Sequence, residues 1–313
     1  MNKKKVFIDG AVGTTGLEIS EILESHSGLE LVKVSDEDRK NDSVRLSAAK
    51  ESDLVILCLP DEASKEAAQR YSVINGLKIL DASSAHRTAP GWVYGLPELG
   101  AGQKAKISEA AMVSNPGCYA SCLILLCAPV FSSLPAAKHP EFLFVSGISG
   151  YSGGGKKLID QFENQKGFAA GAFYDYSMGK AHKHIPEMSL YSGFQGHILF
   201  SPAVVNTYRG LEIKIGIAPG LISTEKIYEA WEKLYSDSAT VHINPLNSDK
   251  VSFHGITTCN GKLAAEVGAF ETESGIILRG VIDNLGMGAA LNALRNMNLM
   301  LGFPEFLQVP LKS

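Results

Sequence analysis

Short apolar runs and longer polar stretches alternate through the first third of the chain. Residues 6–9 form an apolar strand that ends at Gly10, and Leu17, Ile19, Ile22 and Leu23 then recur at helical spacing over 15–24. A second strand is predicted over 29–34. Residues 53–59 are almost continuously apolar and closed by Pro60, as in a parallel strand buried on both faces. A polar, alanine-rich helix over 61–71 and a strand over 77–81 follow. This alternation predicts an α/β fold with an N-terminal Rossmann-type, doubly wound parallel sheet. From about Phe142 the pattern changes. Strands are predicted over 142–146, 204–208, 211–217, 264–271 and 275–282, with a glycine-rich loop over 147–155 and an amphipathic helix from Lys156. That is an α+β second domain, and an Ala/Leu/Met-rich helix over 284–301 closes the chain.

Composition narrows the class. The 313 residues carry 29 basic and 33 acidic side chains, a net charge of −4, with no long run of either sign. No nucleic-acid footprint and no membrane-surface patch is expected. The opening MNKKKVFIDG lacks the apolar core and cleavage site of a signal peptide. The longest apolar run, 122–131, is about half of a membrane span. Five scattered cysteines make no disulfide framework, so a reducing, cytoplasmic location is expected.

One cysteine stands apart. In Ser114-Asn115-Pro116-Gly117-Cys118-Tyr119-Ala120 a turn precedes an apolar helix predicted over 119–130. Cys118 therefore falls in a first helical turn, where unpaired N–H groups and the helix dipole favour a thiolate. Cys58, Cys122, Cys127 and Cys259 read as buried small hydrophobes.

Other motifs surround this nucleophile in sequence. Gly10-Ala-Val-Gly13-Thr14-Thr15-Gly16 sits at the first strand–helix turn, where glycines let a pyrophosphate approach the helix N-terminus. Ser35, Arg39 and Lys40 follow the second strand and suit a ribose 2′-phosphate, whereas Asp36 would favour a free ribose hydroxyl. The first set points to NADP(H). Arg87, closing Asp81-Ala-Ser-Ser-Ala-His86-Arg87, is a candidate clamp for phosphate, with Asn115 and Gly117 flanking the nucleophile. His182-Lys183-His184-Ile185-Pro186-Glu187 supplies candidate acid–base groups. Read as extended, it points both histidines to one side, and Pro186 stiffens the backbone near His184, which favours His184 as the proton carrier and His182 as its support. Two histidines with Cys118 and Cys122 suggest zinc as an alternative, but structural zinc sites use tighter paired spacing, so no metal is expected.

A dinucleotide domain, an activated cysteine and a histidine together describe acyl-thioester redox chemistry. On GAVGTTG (10–16), DASSAHR (81–87), VYGLPEL (93–99), SNPGCYA (114–120), SGYSGGGKK (149–157), HKHIPE (182–187) and VIDNL (281–285), the chain resembles the N-acetyl-gamma-glutamyl-phosphate reductase family of the semialdehyde dehydrogenase superfamily. Its length resembles the compact subgroup. HKH stands where that family often has HRH, and NLGMGAALNA replaces the more usual NLVKGAAGQA. The resemblance implies NADPH-dependent reduction of an N-acetyl-glutamyl phosphate through a Cys118 thioester, with release of inorganic phosphate, in arginine biosynthesis. It also implies Ser152 at the substrate, Asn284 at the cofactor, and a homodimer or homotetramer. Domains are expected at 1–116 (NADP-binding, with 284–313 packing back on it) and 117–283 (catalytic and oligomerisation). Two alternatives share the mechanism: an aspartate-semialdehyde dehydrogenase, against which the missing GNC-type motif argues, and a carrier-bound aminoadipyl-phosphate reductase. A third, of another class, is a catalytically inactive nucleotide-binding redox sensor.

Overall fold

A computed structural model describes residues 3–11, 13–164, 173–245 and 255–312, without the side chains of Thr14 and Thr15. The chain divides into two compact units. The first comprises Met1–Pro97, Ala101–Pro116 and Ala289–Val309. It contains β1 (Lys4–Asp9), α1 (Thr14–Glu24), β2 (Leu29–Val32), α2 (Asp42–Glu51), β3 (Leu54–Leu57), α3 (Asp61–Tyr71), β4 (Lys78–Asp81), β5 (Val93–Tyr94), α4 (Gln103–Glu109) and β6 (Met112–Ser114). The six strands are all parallel, in the order β2-β1-β3-β4-β6-β5. Every side chain of β3 is buried, as the unbroken apolar run requires. Strand order reverses between β1 and β3, which is where a doubly wound sheet opens a crevice for a ligand.

The second unit comprises Glu98–Gly100, Gly117–Gly288 and Pro310–Ser313. Its elements are α5 (Cys118–Ser132), β7 (Phe142–Gly150), α6 (Gly155–Asn164), β8 (Phe173–Asp175), α7 (Ile185–Tyr191), β9 (His197–Val205), β10 (Leu211–Ile217), α8 (Thr224–Tyr235), β11 (Val241–Ile243), β12 (Ala265–Thr272) and β13 (Gly275–Ile282). The strands form a mixed sheet, β11-β12-β13-β10-β7-β9-β8. Helix α5 lies on one face. A Cβ on Gly147 would stand 2.7 Å from the Tyr119 ring, and one on Gly280 would stand 2.8 Å from the Cys122 sulfur. Pro129 lies inside α5 and leaves the Leu125 carbonyl without its helical donor. The Tyr235 hydroxyl of α8 supplies that bond at 3.0 Å, and Trp231 Nε1 donates to the next carbonyl, Leu126, also at 3.0 Å. Helix α9 (Leu291–Leu301) returns to the first unit.

Several boundaries differ from those predicted. The strand expected at 204–208 is β9, running from His197 to Val205. Pro202 is tolerated inside it because the antiparallel neighbour β8 pairs only with 203–205, so the missing proline N–H falls where that pairing stops. The glycine-rich stretch is not one loop. Its first residues complete β7, Tyr151–Gly154 make a 3-10 turn, and α6 begins at Gly155. The final helix is interrupted: Gly286–Ala290 form a π-helical turn before α9. Among the described residues no helix is long and apolar enough to cross a membrane.

Candidate active site

Gly117 is the N-cap of α5 and Cys118 its first residue, half-buried, whereas Tyr119 and Ala120 are fully enclosed. Gly117 has φ −82°, so it is not needed for a left-handed turn. Its N–H donates to Glu187 Oε2 at 3.1 Å. Glu187 is 1 % exposed and lies in the first turn of α7, so the segment that carries the histidines also holds the start of α5.

His182 and His184 do come together, but not by strand alternation. The segment is a turn: His184 has helical angles (φ −87°, ψ −10°) as the N-cap of α7, and Pro186 sits in its first turn, where a missing N–H is harmless. The rings meet edge-on with centroids 4.7 Å apart. His182 Nδ1 lies 3.2 Å from the His184 backbone N–H. A backbone N–H only donates, so Nδ1 accepts and the neutral ring carries its proton on Nε2. Tyr119, Tyr176 and Phe200 complete an aromatic box, with centroids 5.9, 5.9 and 5.2 Å from His182. Burial pushes both tyrosine hydroxyls well above their ordinary pKa, and the neighbouring Cys118 adds to this. They are therefore neutral, and Tyr119 donates to the Ala203 carbonyl at 2.9 Å.

Gly288 closes the other side of the nucleophile. A Cβ there would lie 2.4 Å from Cys118 Cβ. Its N–H donates to the Asp283 carbonyl at 3.0 Å, and the Asp283 carboxylate binds Arg209 Nη1 at 3.1 Å. Ser152 and Asn284, expected at substrate and cofactor, are joined to each other and to the backbone. Asn284 Nδ2 donates to Ser152 Oγ (2.9 Å), Ser152 Oγ donates to the Tyr208 carbonyl, and Asn284 Oδ1 accepts from Gly210 N (2.9 Å).

In the first unit, Asp81 organises the turn after β4. It is fully buried and accepts from Ser64 Oγ, Ser83 Oγ, Ser83 N and His86 Nδ1. Burial alone would raise its pKa, but these donors outweigh it and lower the value. Arg87 follows, and its Nε donates to the Asn115 carbonyl at 3.0 Å. The Asn115 side chain, a candidate for the phosphate site, enters a buried cluster. Nδ2 donates to the Ala289 carbonyl (3.0 Å), and Oδ1 accepts from Asn292 (3.0 Å) and Asn296 (3.1 Å) of α9.

At the β1–α1 turn the three glycines differ. Gly10 has φ +95°, and a Cβ on it would meet the Cys58 carbonyl oxygen at 2.5 Å; a Cβ on Gly16 would meet the Gly10 carbonyl oxygen at the same distance. Those two let the turn close. At Gly13, the N-cap of α1, the nearest atom to a Cβ is 3.7 Å away, so the approach to the helix N-terminus is open. A cavity of about 360 Å³ adjoins it, lined by Gly10, Ala11, Leu59, Arg39, Lys40 and Arg45 among others. Ser35 is turned away, with its hydroxyl donating to Asp38 at 3.0 Å. The side chains of Thr14 and Thr15 lie outside the described residues.

Two family models cover most of the chain. The semialdehyde dehydrogenase NAD binding domain matches residues 5–107, and the semialdehyde dehydrogenase dimerisation domain matches 118–284. N-acetyl-gamma-glutamyl-phosphate reductase 2 of Nostoc sp. is 38 % identical over 97 % of this chain and 99 % of its own length. The reductase of Brucella ovis is 37 % identical over 96 % and 99 %. The chain belongs to the N-acetyl-gamma-glutamyl-phosphate reductase family of semialdehyde dehydrogenases. It is an oxidoreductase with a nicotinamide-cofactor-binding domain. Among solved structures, aspartate semialdehyde dehydrogenase II of Vibrio cholerae shares the fold, with TM-score 0.71 and 17 % identity over 96 % of this chain and 99 % of that one.

Three residues of this semialdehyde dehydrogenase escaped the sequence reading. Glu187 closes the HKHIPE segment, and its place three residues after His184, beside a proline, is the available signal. Gly288 and Arg45 gave none, because each acts through a neighbour far away in sequence.

Proposed function

We propose that this protein reduces N-acetyl-gamma-glutamyl phosphate to the corresponding semialdehyde in arginine biosynthesis, using NADPH and releasing inorganic phosphate. The observation that carries the reading is Cys118 at the first position of α5, beside two neutral tyrosines that pack on the paired histidines and against the bare backbone of Gly288. Cys118 as thiolate attacks the acyl carbon, the carbon–sulfur bond forms, and the carbon–oxygen bond to phosphate breaks. The nicotinamide, when bound, supplies the hydride that reduces the thioester carbonyl. Collapse of the resulting hemithioacetal then returns the sulfur to Cys118 as thiolate. The open N-terminus of α1 and the adjoining cavity suit the pyrophosphate and adenosine ends of the cofactor. Arg87, close to the nucleophile turn in its own unit, is the phosphate-binding candidate.

His182, held with its proton on Nε2, serves as a hydrogen-bond donor to the reacting oxygen, and His184 carries the proton between substrate and solvent. The test is aldehyde oxidation coupled to NADP reduction and dependent on phosphate, run as a pH–rate profile. His184→Asn should remove a titrating limb near neutral pH, whereas His182→Asn should lower turnover without displacing that limb. The reverse pattern would exchange the roles, and absence of phosphate-dependent turnover in the wild type would sink the reading.

The finer assembly is a homodimer through the sheet face opposite α5. There β7 and β9 pair Phe144 with Leu199, β10 and β13 pair Gly216 with Ile277, and Phe142 lies two residues along. Phe142, Phe144, Leu199 and Ile277 are 58, 53, 57 and 40 % exposed, an apolar strip that a monomer would leave in water. The match to a dimerisation domain over 118–284 supports a second copy as its cover. Phe144→Asp should yield monomers by light scattering at concentrations where wild type is dimeric or larger; an unchanged mass would move the interface elsewhere.

A further inference from the structure

The cation set of the cofactor cavity includes a member on α2, an element that hydrophobic spacing did not mark. Arg45 is 14 % exposed and lies in the cavity wall with Arg39 and Lys40. Its guanidinium is held by two carboxylates of different kinds. Nε donates to both oxygens of Asp9 (3.0 and 3.2 Å) and Nη2 to Asp9 Oδ2 (2.8 Å). Asp9 is buried, ends β1, and also accepts from the Tyr71 hydroxyl at 2.8 Å. That side of the fork is fixed. Nη1 instead donates to Asp42 at 3.0 Å, a carboxylate that is 59 % exposed in the first turn of α2. Asp42 has a second cation, Arg70, whose two terminal nitrogens reach it at 2.6 and 2.9 Å.

We propose that Arg45 completes, with Arg39 and Lys40, the site for the ribose 2′-phosphate, and that Asp42 is the stand-in carboxylate which this phosphate displaces. The inference rests on the dinucleotide reading of the cavity. The exchange is chemically balanced: Arg45 trades one anion for a more highly charged one with three acceptor oxygens, and Asp42 keeps Arg70. Asp42 is a weak competitor, because it stands largely in water and keeps Arg70 after separation. A phosphate contact to a pre-oriented guanidinium is the stronger, since the fork is already fixed by Asp9. Arg39 is similarly available: its pairing with exposed Asp36 is loose, at 3.9 Å.

The device makes opposite predictions for two neighbouring residues. By calorimetric titration of the intact protein, Asp42→Asn should tighten NADPH and adenosine 2′,5′-bisphosphate about two- to fivefold, the affinity equivalent of an exposed ion pair, and leave NADH unchanged. Arg45→Lys, which can still neutralise Asp9 and keep the fold, should weaken both 2′-phosphate ligands by about tenfold or more and spare NADH. A thermal melt of each variant confirms that the folded protein is being titrated. If wild type prefers NADPH but neither substitution alters the NADPH-to-NADH ratio, Arg45 is structural and the proposal falls. Weaker NADPH binding by Asp42→Asn overturns it as well. Equal binding of the two cofactors by wild type would instead overturn the 2′-phosphate reading beneath it.

Discussion

Cys118→Ser abolishes phosphate-dependent aldehyde oxidation while NADPH still binds with wild-type affinity; that is the expected result, and the largest effect the site predicts. A serine hydroxyl is far less ionised than a thiol near neutral pH, and only the ionised form makes the covalent acyl bond. Turnover should fall by about three orders of magnitude or more, as loss of a nucleophile does elsewhere. The remaining cysteines cannot substitute. Burial pushes the thiols of Cys58, Cys122 and Cys127 far up and that of Cys259 to about 11. Brief treatment with iodoacetamide at neutral pH should therefore label Cys118 alone, as read by peptide mass spectrometry. A serine variant that keeps more than about a tenth of wild-type turnover would exclude the covalent route.

The next largest effect is expected from a single methyl group. Gly288→Ala places a Cβ 2.4 Å from Cys118 Cβ and 2.9 Å from its Cα, closer than carbon atoms approach. Something must move. Gly117 at the start of α5 is tied to Glu187, and Gly288 itself is tied to the Asp283 carbonyl, so the strain falls on the position of the sulfur. Displacing a reacting atom by about 1 Å costs on the order of a hundredfold in rate. We expect kcat to fall by roughly that factor, with the dissociation constant for NADPH and the mass in solution unchanged. A kcat within about threefold of wild type would show that the turn relaxes away from Cys118 instead.

The parallel sheet was legible because its strands are short, apolar and separated by helices with a recognisable stripe; β3 is the clearest case. Helix α2 was missed for the converse reason. Only Ala48 and Ala49 of its ten residues are buried, so it leaves almost no apolar period. Strand β9 begins at His197 rather than at 204, and Pro202 is tolerated within it because the pairing with β8 ends there. At the site, Cys118, His182 and His184 are candidates on turn chemistry and residue type, which are local. The conformation around them is not. An extended reading and a helix N-cap both bring the histidines together, and sequence spacing does not separate the two. The motifs and the family resemblance make Asn115, Ser152 and Asn284 candidates for ligand contact, but they carry no signal of the protein partners these side chains have. In the folded chain those partners come from 56 to 181 residues away, and the side chains help to hold the frame.

The return of α9 to the first unit has a consequence for how the protein is made. A ribosome finishes the βαβ part long before it reaches Asn292 and Asn296, which secure Asn115 and the Gly95 carbonyl. The turn leading to the nucleophile is thus among the last parts of the chain to be fastened. A fragment ending at Pro116 would contain the strands of a nucleotide-binding sheet without the fastening, and removing the last 25 or so residues is an amputation from the centre of the first unit, however peripheral it looks on a linear map.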